Sequence, residues 1–501
     1  MSASDQAQAF LKIANQFKLG HLATESFHPL TSDLSHVVRN DVAAALKILQ
    51  QVDAEAIRKM HSKSEAIWEL SQDIRNTLSA GHKVFMCGCG ATGRLSLVLE
   101  TLYHQKFGKT DKVISFMAGG DFALIKSVES FEDNVAYGER QLLELGFGEN
   151  DLLLSPTEGG ETPFVIGATN LAARVSKRSP YFLYCNPDEL LMPINRSREV
   201  IENSKIKKLN LTVGPMAISG STRMQASTVL MLAIGMGLLY QFRDRSEFNS
   251  FYSDFLDELL KTDYSSLKEF TALEAKLYQE KKFINYIGHP SLAISILTDT
   301  TERSPTFSLR GFENRLDQSE SRSLSYLFIP DTKNAQEAWE KLLSRKPRPL
   351  NWVELEGKID ESKVYGFDIS ISGKQDRENA LSTGDFIIDL ENGITTFKFC
   401  DLKQTFNWGS DLLFNHLMVK MLLNAHSTLI MGLLGRYEGN VMTWVRSSNN
   451  KLIDRSARYI LQILTQRGKS ATYEDVVLKI FEESENLEEN DPIVLKVLRR
   501  Y

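Results

Sequence analysis

The chain has 501 residues, which is more than one ordinary domain holds, and its 42% hydrophobic and 24% charged residues are typical of folded proteins and exclude long disorder. Acidic residues (64) slightly outnumber basic ones (58), giving a formal net charge of -6. A chain without a basic excess has no field that attracts nucleic acid, so nucleic acid is excluded as the expected partner.

The cysteines and the apolar segments further limit the class of protein. The four cysteines have neither disulfide nor zinc spacing and indicate reduced core thiols: Cys87, Cys89, Cys185 and Cys400. We expect neither a metal nor a cofactor. The N-terminus lacks a signal pattern, and the apolar runs at 229–239 and 417–434 are too short or interrupted by polar residues, so we expect a cytoplasmic protein without a membrane partner.

In chain order, apolar periodicity first predicts helices over residues 41–80. From residue 83 short apolar runs alternate with amphipathic segments: KVFMCG, VISFMAGG, DLLLSP, PYFLYCN and KLNLTV. This alternation is typical of a parallel sheet with helices on both faces, closed here by a buried helix at 221–240.

A charged helical stretch at 244–279 precedes a second series of predicted strands: FINYIG, LSYLFIP, VYGFDIS, FIIDL and TTFKFC. The second series also opens with strand, turn and helix, and it also ends in a long apolar helix, which indicates a duplicated domain. The predicted fold is α/β, with two tandem doubly wound parallel-sheet domains. The predicted regions are a helical N-terminal segment (1–60), a first domain (61–250), a second domain (251–465) and a helical tail (466–501).

Three polar loops of the first domain lie between a predicted strand and a helix: G-C-G-A-T-G-R at 88–94, S-P-T-E-G-G-E-T-P at 155–163 and S-G-S-T-R-M at 219–224. Loops at the carboxyl ends of parallel strands form the ligand crevice, and a helix N-terminus offers N–H groups to an anion. Each loop alone also has a structural explanation, as a tight turn, a polar turn or a helix cap. Together they favour a phosphate cradle.

These loops, in this order, resemble the sugar-isomerase domain shared by N-acetylmuramic acid 6-phosphate etherase and the glucokinase regulatory protein. The resemblance also rests on H-P-L-T at 28–31, A-G-G-D at 118–121, V-E-S-F-E-D at 128–133 and C-N-P at 185–187, and more faintly on N-V-M-T-W-V-R-S-S-N-N-K-L-I-D-R at 440–455. The tandem arrangement is similar to the regulatory protein, whereas the etherase is one domain that pairs as a homodimer. The chain would then be its own pseudo-dimer.

The resemblance implies a set of ligand-binding residues, completed from the second domain by Lys451. Phosphate would contact Thr92, Thr157, Ser221 and Thr222, with backbone help from Gly88, Gly90, Gly93 and Gly159. Two features depart from the family. Gln225 replaces a usual lysine, and Glu158 and Glu161 place carboxylates in a loop that is usually neutral or basic.

The resemblance also implies two glutamates that could cleave a lactyl ether beside a carbonyl, one as base and one as acid. Glu132 matches one of them, and the position of the other in the first domain is Leu102. Glu302 falls at the matching place of the repeat. Glu132 and Glu302 would share one site, with Lys451 beside them. Alternatively, both carboxylates only hold sugar hydroxyls, and His289, in the altered loop of the second domain, is structural.

Two functions therefore stay open. The tandem architecture and the altered charges favour a sugar-phosphate-binding regulator or sensor of carbohydrate or amino-sugar metabolism. Its expected ligand is a fructose phosphate or an N-acetylamino-sugar 6-phosphate, and a candidate protein partner is a sugar kinase. The surviving pair of glutamates favours a lyase that cleaves the lactyl ether of N-acetylmuramic acid 6-phosphate.

Overall fold

The computed structural model describes residues 2–17, 19–128, 131–317, 321–445, 450–485 and 491–501. The N-terminal region folds as helices, and side chains fix where they start. The Ser2 hydroxyl accepts from the backbone N–H of Asp5, and the Asp41 carboxylate accepts from that of Ala44. The helices are α1 (Ala3–Ile13), α2 (Leu34–Asn40), α3 (Val42–Met60) and α4 (Ser64–Ser79).

The first sheet has five parallel strands in the order β2-β1-β3-β4-β5. Its strands are β1 (Val84–Gly88), β2 (Val113–Met117), β3 (Leu152–Thr157), β4 (Tyr181–Tyr184) and β5 (Lys207–Asn210). Its helices are α5 (Ala91–Phe107), α6 (Val135–Glu144), α7 (Pro163–Val175), α8 (Asp188–Leu191), α9 (Asn195–Glu202) and α10 (Gln225–Leu239). All residues of β1, β2, β3 and β4 are buried, as in a sheet covered on both faces. The predicted doubly wound α/β domain is confirmed here.

The second half contains another five-stranded sheet, in the order β10-β9-β8-β6-β7. Its strands are β6 (Phe283–Gly288), β7 (Ser325–Phe328), β8 (Thr383–Glu391), β9 (Ile394–Phe399) and β10 (Leu402–Asn407). A small hairpin follows, of β11 (Tyr437–Glu438) and β12 (Val441–Met442). The helices are α11 (Arg245–Lys261), α12 (Lys268–Gln279), α13 (Ala293–Phe307), α14 (Ala335–Leu343), α15 (Glu361–Tyr365), α16 (Ile371–Ala380), α17 (Leu412–Leu433), α18 (Asn450–Gln466), α19 (Tyr473–Ser484) and α20 (Ile493–Leu498).

The second sheet departs from the expected all-parallel arrangement, because only β7, β6 and β8 are parallel. β9 and β10 add to it as antiparallel strands. The reason is a two-residue turn between β8 and β9, in which Asn392 and Gly393 have positive φ angles of 51° and 78°. Such an Asn-Gly turn reverses the chain directly into an antiparallel neighbour.

One predicted strand of the second half is wrong. The segment VYGFDIS does not form a strand: α15 covers its start, and only an isolated bridge between Ile329 and Ser370 marks its end. The Asp360 carboxylate accepts from the backbone N–H of Lys363 and starts the helix. The helix cap therefore outweighs the preference of the Val364 and Tyr365 side chains for a strand.

The two halves share an extensive interface. α10 packs against α17, the long apolar helix of the second half, and α5 packs against α13. A Cβ atom on Gly235 would lie 2.6 Å from the Leu413 side chain, which shows how closely α10 and α17 approach. At the periphery α1 packs against α19, with the rings of Phe10 and Phe481 6.2 Å apart. The N-terminal helix α1 therefore packs directly against the helical tail.

A segment of the second half, residues 344–354, crosses onto the first half, and we call it the crossing loop. Arg345 lies 2.5 Å from the carboxylate of Asp121 and 3.1 Å from that of Glu100. Farther along, the Trp352 ring stacks on Phe131 at a centroid distance of 5.7 Å. The crossing loop therefore supports the segment that carries Glu132.

Two further sequence expectations concern membranes and thiols. Within the described residues, no helix combines the length and the apolar character that crossing a bilayer requires. Cys87 and Cys185 are buried and Cys89 is partly buried, but Cys400 is exposed. The interpretation as core thiols is wrong for Cys400, because this residue lies in the tight turn between β9 and β10 with a φ of 52°.

Candidate functional site

A cleft of about 980 Å³ lies where the loops of the first sheet meet the second half. Its walls come from the N-terminal segment, the first half, α13 and α18. Seven of the residues singled out in the sequence line it: Gly90, Glu132, Gly159, Ser221, Thr222, Glu302 and Lys451. The other four, Gly88, Thr92, Gly93 and Thr157, are not among the described residues that line it.

The first loop turns its threonine away from the cleft. Gly90 precedes α5 with a φ of +54°, and a Cβ atom there would meet nothing within 4 Å. The Thr92 hydroxyl accepts from the Cys89 N–H at 3.0 Å and donates to the Cys89 carbonyl at 2.9 Å, so it stabilises the loop itself. A Cβ atom on Gly88 would lie 2.4 Å from the backbone of Gly93, so these two glycines allow β1 and α5 to pack closely. Gly90 thus exposes the N-terminus of α5 to the cleft.

The second loop follows β3 and contains two buried glutamates with opposite properties. The Ser227 hydroxyl donates to Glu158 at 2.7 Å, and burial raises the pKa of Glu158 to about 7. Burial also acts on Glu161, but Lys451 and Arg196, at 2.9 and 2.5 Å, lower the pKa of that carboxyl to about 2. The loop thus holds one carboxyl group that titrates near neutral pH and one that stays ionised.

Thr157 lies in the same loop but faces its interior. Its hydroxyl lies 3.1 Å from the hydroxyl of Thr162, and the side chain is buried. Gly159 is the member of the predicted set that this loop contributes to the cleft.

The third loop, before α10, presents hydroxyl groups to the cleft. Ser221 is buried, and its Oγ has no hydrogen-bond partner among the described residues. Thr222 is half-buried beside it. A buried hydroxyl without a partner is costly unless a ligand or water satisfies it, so Ser221 is suited to contact a polar ligand.

The second half holds this third loop in place. The Lys420 ammonium, on α17, donates to the backbone carbonyl of Arg223 at 2.8 Å. The Arg223 guanidinium, in turn, lies 3.1 Å from the Asp299 carboxylate on α13. All three side chains are buried. Neither Lys420 nor Asp299 belonged to the predicted site, because their pairing with the loop joins distant parts of the chain.

The two candidate catalytic glutamates face the cleft from different halves. Glu302 is buried on α13, 4.0 Å from the Arg94 guanidinium, and its Oε1 has no hydrogen-bond partner among the described residues. Burial raises the pKa of Glu302, although Arg94, Arg223 and Lys420 oppose this effect. Glu132 is more accessible, with its side chain 42% exposed and its Oε1 3.7 Å from the Lys451 ammonium.

The repeat explains why one half supplies Glu302 and the other does not. Leu102 on α5 and Glu302 on α13 lie at the same distance along the chain from the glycine that ends the preceding strand, Gly88 or Gly288. Leu102 is fully buried among apolar side chains. A single carboxylate of this type therefore reaches the cleft.

In the second half, the loop after β6 is closed by its own side chains. The His289 ring lies 2.6 Å from the Ser291 hydroxyl, and the Asp411 carboxylate, rather than a serine or threonine, caps α17. Burial lowers the pKa of His289. These contacts support the structural interpretation of His289.

The N-terminal segment contributes a residue that the sequence did not reveal. Glu25 lines the cleft, buried, with its carboxylate 2.6 Å from Arg455 and 3.1 Å from Arg458 on α18. These two arginines, despite burial, lower the pKa of Glu25 to about 2. No local pattern marks a glutamate whose partners lie more than 400 residues away.

Two of the sequence motifs on which the family resemblance rests extend beyond the described residues. Residues 129–130 of V-E-S-F-E-D and residues 446–449 of the segment at 440–455 lie outside them. Among the described residues, no group of three or more His, Cys, Asp or Glu side chains is placed to hold a metal ion.

The chain is similar to several proteins whose names refer to sugar phosphates or to a regulator of glucokinase. Residues 65–173 match the model of the glucokinase regulatory protein N-terminal SIS domain. The N-acetylmuramic acid 6-phosphate etherase of Psychromonas ingrahamii is 31% identical over 220 residues, which cover 43% of this chain and 68% of the relative. That of Cronobacter sakazakii is 30% identical over 44% of this chain and 69% of the relative. A putative tagatose-6-phosphate ketose/aldose isomerase from Clostridium novyi NT superposes with a TM-score of 0.44 at 13% identity, covering 83% of this chain and 95% of the other.

Proposed function

Because this chain belongs to the N-acetylmuramic acid 6-phosphate etherase family, we propose that it is a lyase that cleaves the lactyl ether of this sugar phosphate. The observation that carries the proposal is that Glu132 and Glu302, from different halves, line one cleft together with the hydroxyl loop at 219–224. The acid, the base and the phosphate-binding loop would then all contact the same ligand.

The reaction is an elimination that needs two proton transfers. A base removes the proton from the carbon beside the sugar carbonyl, a carbon–carbon double bond forms, and the ether bond on the next carbon breaks. The departing oxygen takes a proton from an acid and leaves as lactate. No oxidant or reductant is consumed.

We assign these roles from the surroundings of the two glutamates. Burial raises the pKa of Glu302, although Arg94, Arg223 and Lys420 oppose this effect, and no described group donates a hydrogen bond to its Oε1. We assign the role of the acid to Glu302 on this basis. Glu132 is accessible, with its Oε1 3.7 Å from the Lys451 ammonium, and we assign it the role of the base.

The phosphate would bind at the opposite end of the sugar. The Ser221 and Thr222 hydroxyls donate to phosphate oxygens, and the N-terminus of α5 at Gly90 supplies backbone N–H groups and a favourable dipole. Lys451 reaches the same cleft from α18. The hydroxyls of Thr92 and Thr157 act indirectly, by shaping their loops.

Release of lactate tests the lyase function. N-acetylmuramic acid 6-phosphate is incubated with the wild-type chain, with Glu302→Gln and with the surface control Glu280→Gln, and lactate is measured enzymatically. We expect Glu302→Gln to lower the rate by about 10² to 10⁴ and Glu280→Gln to have the wild-type rate. No lactate from the wild-type chain, or equal rates in both variants, would contradict the proposal.

A second candidate, a sugar-phosphate sensor or regulator, is favoured by the ion pairs of Lys451. This ammonium lies 2.9 Å from Glu161 and 3.7 Å from Glu132, an arrangement that can hold a ligand without reaction. A protein partner such as a sugar kinase would then respond to whether the sugar phosphate is bound in the cleft.

Thermal melting separates this candidate from the lyase. A fructose phosphate or an amino-sugar phosphate at 100 times its Kd should stabilise the chain by about 2.7 kcal/mol. Thr222→Val and Lys451→Ala should reduce the shift, whereas Thr169→Val, whose hydroxyl bonds within α7, should retain it. A saturable shift without lactate release supports the sensor; no shift with any sugar phosphate is evidence against both candidates.

A further inference from the structure

Glu158 differs from the other buried carboxyl groups of the cleft. It follows β3, is 8% exposed and accepts its side-chain hydrogen bond from an uncharged group, the Ser227 hydroxyl at 2.7 Å. Three more deeply buried glutamates of the cleft each have a cation within 4.0 Å: Glu25 with Arg455, Glu161 with Lys451 and Glu302 with Arg94. Glu158 has no such cation among the described residues. A buried carboxylate without a cation is costly, and this favours the neutral form of Glu158.

The charge of the expected ligand adds to this cost. Ser221, Thr222 and the N-terminus of α5, which we propose to bind a phosphate group, line the same cleft as Glu158. An ionised Glu158 would repel a phosphate dianion in this partly buried space. Burial raises the pKa of Glu158 to about 7, and the charge of Glu302 adds to this effect. A single proton near neutral pH can therefore remove the charge of Glu158 without breaking an ion pair.

Ser227, at the start of α10, links Glu158 to the third loop. Its hydroxyl oxygen lies 2.7 Å from Glu158 Oε1 and 3.1 Å from the backbone carbonyl oxygen of Thr222. A hydroxyl group has one proton to donate, so an ionised Glu158 and the Thr222 carbonyl compete for it. A neutral Glu158 donates its own proton to the Ser227 oxygen, and the Ser227 proton is then free for Thr222. The neutral form thus satisfies both contacts and holds the loop that carries the Thr222 hydroxyl.

The other titratable and charged groups that face Glu158 come from several elements of both halves. They are Cys89, Arg94, Cys185, Glu302 and Lys451. Burial raises the pKa of both thiols well above the ordinary value, so they are uncharged at neutral pH. Burial opposes the charge of Lys451, but Glu161 at 2.9 Å raises its pKa above the ordinary value. Glu302 is the other group of this set whose protonation can accompany ligand binding, so its replacement is part of the test.

We propose that the cleft takes up one proton together with its phosphorylated ligand, and that Glu158 is the group that binds this proton. The proton comes from the solvent. It neutralises Glu158 and frees the Ser227 hydroxyl for the third loop, while the phosphate becomes the new negative charge in the cleft. The inference rests on the proposed phosphate site and holds for a lyase and for a sensor alike. It assigns a use to a carboxyl group in a loop that is usually neutral or basic in the family.

Isothermal titration calorimetry of the full-length chain at pH 8 measures this proton directly. The probe is N-acetylglucosamine 6-phosphate, an amino-sugar phosphate without a lactyl ether, so that no elimination occurs. At pH 8 a group with a pKa of about 7 is about 90% ionised, and the ligand phosphate, whose second pKa is about 6, is already a dianion. Titrations in HEPES and in Tris, which differ in ionisation enthalpy, should therefore give an uptake of about 0.9 proton per bound ligand.

Three variants assign the proton to a residue. Glu158→Gln keeps the shape of a neutral glutamic acid, and we expect it to bind the probe with a proton uptake close to zero. Glu161→Gln, the matched control from the same loop, should retain the uptake, because the pKa of Glu161 is about 2 and this carboxyl group stays ionised. Glu302→Gln should also retain most of the uptake.

The pH dependence of the affinity gives a second measurement. A ligand that binds the protonated form of Glu158 loses affinity as the pH rises through the pKa of that group. With a pKa of about 7, the Kd of the wild-type chain should rise about fivefold between pH 7 and pH 8. Glu158→Gln should have nearly the same Kd at both pH values. A purely structural role of Glu158 would change the Kd by the same factor at each pH.

Binding of the probe without proton uptake by the wild-type chain would overturn the inference, and this measurement needs no variant to fold. Uptake that survives in Glu158→Gln and disappears in Glu302→Gln would overturn it as well, since the proton would then belong to Glu302. Lactate release judges the lyase function separately: proton-coupled binding without lactate release supports the inference and removes the lyase. If no sugar phosphate binds, the phosphate site and this inference both fail.

Discussion

The buried carboxylate of Glu25 lies 2.6 Å from the Arg455 guanidinium and 3.1 Å from that of Arg458, both on α18. Its ordinary pKa of 4.5 is lowered to about 2 in the folded chain, where the arginines outweigh burial. A carboxyl group whose pKa is lower in the folded state stabilises the fold above its unfolded-state pKa. That stabilisation is lost as the pH falls through the folded value.

We therefore expect Glu25→Gln to lower the free energy of unfolding by about 3 kcal/mol at pH 7. The difference from the wild-type chain should shrink as the pH falls from about 5 towards 2, because Glu25 then takes up a proton. Urea denaturation at several pH values measures this. Glu280→Gln, on the surface, is the control; a difference that is the same at pH 7 and pH 3 would contradict the assignment.

Single residues also show why the site was only partly predictable. Ser221, Thr222 and Gly90 could be found because they lie in loops at strand ends, where topology alone brings ligand groups together. Thr92 and Thr157 have the same local signal, but their hydroxyls bond within their own loops. A short sequence pattern does not distinguish these two outcomes, since they depend on the rotamer and on the neighbouring backbone.

Among the elements, the crossing loop belongs to the second half but packs against the first half and stabilises it. Arg345 is 11% exposed and lies against Glu100 and Asp121, which are almost fully buried. Removing the cation leaves these carboxylates in a dry environment, with Arg348 still 2.9 Å from Glu100 and its backbone N–H donating to Asp121 at 2.7 Å. Such a loss costs far more than the loss of a surface ion pair.

We expect Arg345→Met to lower the free energy of unfolding by about 3 to 5 kcal/mol. The matched control is Lys346→Met, the next and exposed residue of the crossing loop, for which the change should stay within about 0.5 kcal/mol. Urea denaturation monitored by Trp fluorescence measures both. Equal effects of the two substitutions would show that Arg345 does not anchor this loop.

The elements themselves were largely predictable in the first half, where apolar runs and amphipathic segments alternate clearly. In the second half the signal for an antiparallel hairpin lies in the Asn392-Gly393 pair rather than in the apolar runs, and β10 has weak alternation at the sheet edge. The false strand at 364–370 arose from β-branched and aromatic side chains that the Asp360 cap overrides. Local propensity gave way to helix capping there.

For the whole molecule, the interface between the halves predicts how the chain unfolds. Buried polar contacts of Arg223 with Asp299 and of Lys420 with the third loop cross the interface beside the apolar contact of α10 with α17. Separating the halves would break both polar contacts and would take from Arg223 its carboxylate partner.

We therefore expect one cooperative transition in scanning calorimetry, with the calorimetric and van't Hoff enthalpies equal. Asp299→Asn, which weakens the contact with Arg223 across the interface, should lower the Tm and broaden or split this transition. Two separate transitions in the wild-type chain would contradict the expectation and indicate independently stable halves.

The cleft takes its walls from the N-terminal segment, from both halves and from α18, all within one covalent chain. Dilution cannot take such a site apart, so at a given pH its occupancy by ligand depends on ligand concentration alone. The covalent link also releases each half from having to match the other. Leu102 can therefore pack in the core while Glu302, at the same position of the other half, lines the cleft. Two identical subunits must carry the same residue at this position and cannot differ in this way.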